Sequence, residues 1–92
     1  MKRLIFDLDN TISFAKDSNY IDSKPDLAII DRMRAYKDNG FEIIISTSRN
    51  MRTYKGSIGK INAHTLPTII KWLDKHNVPY DEIIVGKPWC GE

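Results

Sequence analysis

Two aspartates, Asp7 and Asp9, stand two positions apart in residues 5–11, IFDLDNT, where an apolar run ends. Charges at the end of a buried strand are costly unless a partner offsets them. A carboxylate placed there can be a nucleophile or a ligand for a hard cation. A second one, two residues on, can reach the same ligand from another side and is available for general acid–base work. Two more polar clusters join them. Residues 46–49 read STSR, where the Thr47 hydroxyl and the backbone N–H groups near Ser48 can donate to a phosphate oxygen. Lys87, in VGKP, supplies a positive point charge for an anion. A nucleophile, an acid/base, a hydroxyl clamp and a cation together resemble a phosphoryl-transfer site.

Three strands would have to carry these clusters. Residues 2–6 read as a strand whose LIF run suits burial on both faces, as in a parallel sheet. Residues 10–24 are a polar loop or small flap. Pro25 can open a helix in which Leu27, Ile30 and Met33, with Ile29 and Tyr36, recur at helical spacing. Gly40 is free to take the left-handed cap. FEIII forms a second strand ending at STSRN, and residues 51–64 read as a long polar loop of the kind that is often functional. Thr65 can cap a second helix with Ile69, Ile70 and Leu73 on its inner stripe, and EIIVG is the third strand. Strand, helix, strand, helix, strand implies parallel strands joined by right-handed crossovers. Ligands in such α/β sheets bind beyond the carboxyl ends of the strands. Every suspicious cluster falls at one of those ends.

Composition narrows the choice. At 92 residues the chain is one domain at most, and 41% apolar with 28% charged residues is an ordinary globular balance. A net charge of +2 argues for neither a nucleic-acid partner nor a membrane surface. No apolar run approaches the roughly 18 residues of a membrane span. The start MKRLIFDLDN carries two carboxylates and no cleavage pattern, so it is not read as a signal peptide. Cys90 is the single cysteine, which fits a reducing cytoplasm.

Taken together, DLDNT, STSR and GKP on three successive strands resemble the three leading motifs of the haloacid dehalogenase superfamily of phosphohydrolases. More narrowly, STSRNMRT, GKINAHTLP and VGKPWCG resemble the small phosphatases associated with bacterial capsule and surface-polysaccharide genes. The resemblance implies a Rossmann-like three-layer sandwich with a mainly parallel sheet. It implies that Asp7 attacks phosphorus, and that Mg²⁺ is bound by Asp7 and by Asp9 through its backbone carbonyl. It implies that Asp9 protonates the leaving group and then activates water. Thr47 would hold the phosphoryl group, Lys87 would neutralise charge, and Thr11 would brace the turn. The expected substrate is a phosphorylated sugar or a surface-polysaccharide precursor. Residues 13–24 and 50–64 are too short for a folded cap, so the chain resembles the capless class, with a site open to a large substrate or covered by a neighbouring copy of the chain. Arg49, Arg52 and Lys60, on or beside the second loop, could grip a sugar phosphate.

The resemblance stops before the family's fourth motif, an acid or acid pair on a further strand. Glu92 lies five residues after Lys87 with no strand to place it, so the 92 residues are expected to be C-terminally incomplete. The alternative function is therefore an impaired or truncated fragment that binds phosphate or a partner without turnover. A phosphoacceptor signalling domain is disfavoured because its acceptor lies on a middle strand. Lys60 competes with Lys87 for the third-motif role. GSIGK lacks the first glycine and the trailing Ser or Thr of a phosphate loop. His64, His76, Trp72, Trp89 and Cys90 are read as structural.

Overall fold

The computed structural model describes residues 2–14 and 23–88. Trp89, Cys90 and Glu92, and the middle of the flap, lie outside the described residues.

The first strand, β1, covers Arg3–Asp7, and the polar stretch behind it contributes β2 (Ser13–Phe14) and β3 (Lys24–Pro25), an antiparallel pair. Helix α1 spans Leu27–Asp38. Asp26, not Pro25, caps it: its side chain accepts a hydrogen bond from the Ile29 N–H at 3.1 Å, meeting one of the orphan donors of the first turn. Past the end of α1, Gly40 takes φ +86°, the left-handed conformation expected of it. Strand β4 is Glu42–Ser46 and β5 is Glu82–Ile84. Both β1 and β5 pair parallel to β4, so the sheet order is β1-β4-β5.

Two expectations change. Residues 51–64 are not one long loop. Turns cover 51–56, and Ile58–His64 form a short helix, α2, whose first turn is capped by Ser57 accepting from the Lys60 N–H. Ile58 and Ile61 are its only large apolar residues, and Gly59 sits between them. Too little apolar pattern remained to signal a helix. Helix α3 follows at once as Leu66–Lys75. Thr65 stands at its N-cap position but makes no side-chain cap bond; its hydroxyl donates instead to Asn50 Oδ1 at 2.7 Å.

The second change concerns layers. One buried cluster joins Ile30 and Met33 of α1, Ile43 and Ile45 of β4, and Ile69, Trp72 and Leu73 of α3, with Leu4, Phe6 and Ile83 packed against it. Both longer helices therefore lie on one face of the sheet. On the opposite face Ile5 is 67% exposed and Ile84 45%. The described residues make two layers where the sequence predicts three. Two right-handed crossovers that step in the same direction along a sheet must put their helices on the same side. The coarse architecture is a small α/β protein with a parallel three-stranded sheet and three helices, compatible with a Rossmann-like fold. Among the described residues no helix is long and apolar enough to cross a membrane.

Candidate active site

Strand alternation explains the spacing of the aspartates. Successive residues of an extended chain point to opposite sides. Leu8, between Asp7 and Asp9, is buried in the core cluster, so both carboxylates face away from it on the same side. Leu8 keeps the sheet going by donating its N–H to the Ser46 carbonyl at 3.1 Å. The chain then turns sharply. The Leu8 carbonyl accepts from Ile12 and Ser13 at 3.0 and 2.9 Å, and Asn10 takes φ +65°. Asparagine tolerates that left-handed conformation better than most residues. Ile12, fully buried, anchors the far side of the turn.

The exits of β4 and β5 are stitched together behind it. The Thr47 N–H donates to the Ile84 carbonyl at 3.0 Å, and the Lys87 N–H donates to the Thr47 carbonyl at 3.2 Å. Between them Gly86 turns the chain at φ +85°. These bonds deliver Lys87 across the sheet to the tip of β1, where its ammonium group pairs with Asp7 Oδ1. A cavity of about 110 Å³ results, lined by Asp7, Leu8, Asp9, Ser46, Thr47, Ser48 and Lys87.

Five of the residues nominated from sequence thus meet in one place: Asp7, Asp9, Thr47, Ser48 and Lys87. Thr11 lies half-buried in the turn beyond Asp9 and does not line the cavity. Arg52 and Lys60 are exposed on the turn and the short helix that follow. Lys87, not Lys60, makes the contact with Asp7. Arg49 departs most from expectation. Its guanidinium is turned inward onto Asp9, with Nη2 donating to Oδ1 at 2.6 Å and Nε donating to Oδ2 at 3.3 Å. The side chain is only 3% exposed.

The charges nearly cancel: Asp7 and Asp9 face Lys87 and Arg49. For Mg²⁺ the donor chemistry is suitable, since carboxylate oxygens are the hard ligands this ion prefers. The set is short, because no cluster of three or more His, Cys, Asp or Glu side chains that could hold a metal occurs among the described residues. The residues present fit Mg²⁺ as a partial donor set, the Asp7 carboxylate with the backbone carbonyl of Asp9.

No family model and no curated protein matches the chain. A crystal structure of an MCSG target from Vibrio cholerae does, with a TM-score of 0.95 and 62% sequence identity over 100% of this chain and 75% of that one. Nothing in the name of that protein states what it does.

Proposed function

This chain belongs to the same family as the Vibrio cholerae protein, and we propose that its strand-tip cluster is a phosphomonoesterase site of the haloacid dehalogenase type. One observation carries the reading. Two same-side carboxylates, a hydroxyl and an ammonium group, each from the end of one of three parallel strands, line a single cavity. At about 110 Å³ that cavity suits a phosphoryl group and leaves the rest of the substrate outside.

In this reading Asp7 attacks phosphorus with a carboxylate oxygen. The bond from phosphorus to the leaving-group oxygen breaks, and Asp9 delivers a proton to that oxygen. Water then attacks the phosphoaspartate, Asp9 takes a proton from it, and Asp7 is regenerated with release of phosphate. Lys87 offsets the negative charge of Asp7 and of the phosphoryl oxygens. Thr47 and the backbone N–H of Ser48 donate to those oxygens. Asp7 and the Asp9 carbonyl would hold Mg²⁺, which when bound supplies further neutralisation of phosphoryl charge. The proposed substrate is a phosphorylated sugar or a surface-polysaccharide precursor, whose glycan portion would lie in the open beyond the cavity.

The test is hydrolysis of p-nitrophenyl phosphate with Mg²⁺. Activity is expected to be lost in Asp7→Asn, and equal activity in that variant would refute the assigned nucleophile. The short metal donor set among the described residues favours a second reading, a phosphate-binding fold without turnover. Absence of both hydrolysis and a beryllium fluoride adduct with Mg²⁺ present would favour it over the phosphatase.

A further inference from the structure

Among the described residues Arg49 is the one charged side chain that is buried. Burying a guanidinium is expensive, and an apolar residue of similar size often serves stability as well or better. The expense therefore calls for a return other than stability. Contacts of Arg49 tie Asp9 and Thr47 together. Its planar fork takes both oxygens of Asp9, Nη2 to Oδ1 at 2.6 Å and Nε to Oδ2 at 3.3 Å. Its backbone N–H donates to Thr47 Oγ1 at 3.0 Å. Thr47 Oγ1 in turn donates to Asp9 Oδ2 at 3.4 Å, closing a ring of three residues.

The loop that aims Arg49 is itself held. Asn50 takes φ +62°, which turns the chain just after the arginine. Its side-chain oxygen accepts from the buried Thr65 hydroxyl at 2.7 Å, tying the loop to the start of α3. The guanidinium thus approaches Asp9 from a fixed direction.

Resting on the phosphatase reading above, we propose that Arg49 is a positioning residue for Asp9 rather than a grip for the substrate. A carboxylate offers roughly four lone-pair directions. Nη2 occupies one on Oδ1 and Nε one on Oδ2. The Thr47 hydroxyl, 3.4 Å from Oδ2, turns to the phosphoryl group in the reading above. The fork then leaves one direction on each oxygen, so Arg49 fixes the plane of the carboxylate and with it the angle at which Asp9 passes protons. A lysine cannot substitute, because a single ammonium does not reproduce a two-point fork.

The test is a double-mutant cycle on the full chain: wild type, Arg49→Lys, Asp9→Asn and the pair, assayed with p-nitrophenyl phosphate and Mg²⁺. Arg49→Lys is expected to lower kcat by about 100-fold, the scale of a small misplacement of a reacting group, with KM changed less than about threefold. In the Asp9→Asn background the same change should cost less than about twofold, because residues acting as a unit are non-additive. Guanidinium added to Arg49→Ala should restore part of kcat. A raised KM at unchanged kcat would overturn the proposal in favour of substrate contact. An equal loss in the Asp9→Asn background would overturn it too. Thermal unfolding of the same four proteins separates this proposal from the phosphatase reading. If wild type is inactive, non-additive melting temperatures still support the Arg49–Asp9 pairing, and additive ones overturn it. Should Arg49→Lys fail to fold, Arg49→Gln replaces it in both cycles.

Discussion

Lys87→Met separates a catalytic lysine from a structural one, because the two roles predict effects of very different size. The Lys87–Asp7 pair is open to water, with side chains 43% and 51% exposed. An exposed pair of that kind contributes about 0–1 kcal/mol to stability. For a domain of this size the loss would lower Tm by at most about 8 °C. Catalysis asks far more of the same ammonium group. Removing one preorganised donor from a developing charge typically costs 10²–10³ in kcat, about 2.7–4 kcal/mol. Lys87→Met should therefore stay folded with a small Tm change and lose at least about 100-fold in kcat. Lys60→Met is the control, since Lys60 does not line the cavity. It should keep kcat within about twofold, as expected for an exposed side chain away from the chemistry. Initial rates at saturating p-nitrophenyl phosphate with Mg²⁺, paired with melting curves, read both quantities. The reasoning fails if Lys60→Met loses as much activity as Lys87→Met. It also fails if Lys87→Met lowers Tm far beyond 8 °C, which would make the lysine a structural strut.

Gly86→Ala tests the backbone that aims the lysine. An alanine at φ +85° is strained, and its Cβ would come within 2.3 Å of Ile58 Cδ1, an exposed side-chain end that can move. The left-handed strain alone, about 1–2 kcal/mol, predicts a Tm loss of roughly 4–16 °C, with kcat falling further as Lys87 shifts; an unchanged Tm would show that this turn adapts freely. His76 predicts a pH response: burial, then the charge of Lys75 next door, push its imidazole below the ordinary value. The stability it contributes is full above about pH 6.5 and is lost as pH falls from there through the lower folded-state value, so His76→Gln should flatten the Tm-versus-pH slope just below pH 6.5. Asp81 acts in a different window. Hydrogen bonds from Lys37 and from the Ile43 N–H hold its carboxyl below the usual range, so its contribution fades only below about pH 4.

Sequence pattern located the strands and long helices because each carries a strong periodic signal. LIF and FEIII fall within one residue of β1 and β4, and Ile30 and Met33 are the buried face of α1 as their spacing implies. The short helix α2 escaped for the opposite reason. One buried residue, Ile61, holds it to the body, and a single buried position has no period. The side of the sheet that each helix covers is set at a different level. Helical crossovers were legible, but the face each helix covers follows from strand order, and the order β1-β4-β5 sends both crossovers the same way.

At the site, residue type and side-chain direction divide what could be read from what could not. Asp7, Asp9, Thr47 and Lys87 were legible because parallel strands of a known period bring their carboxyl ends together whatever the loops do. Arg49 was legible as a cation near the site and illegible in its direction. Two left-handed asparagines decide that direction. Asn10 folds the chain back behind Asp9, and Asn50 bends it just beyond Arg49. DN and RN were there to be seen, and asparagine is among the residues most tolerant of positive φ. What no one-dimensional pattern supplies is the Thr65 hydroxyl that fixes Asn50 from fifteen residues away. The same bond removed Thr65 from its expected role as the α3 cap. A capping interaction was thus exchanged for one that holds the loop behind Arg49, so the structure of α3's first turn and the direction from which Arg49 meets Asp9 are tied to the same hydroxyl.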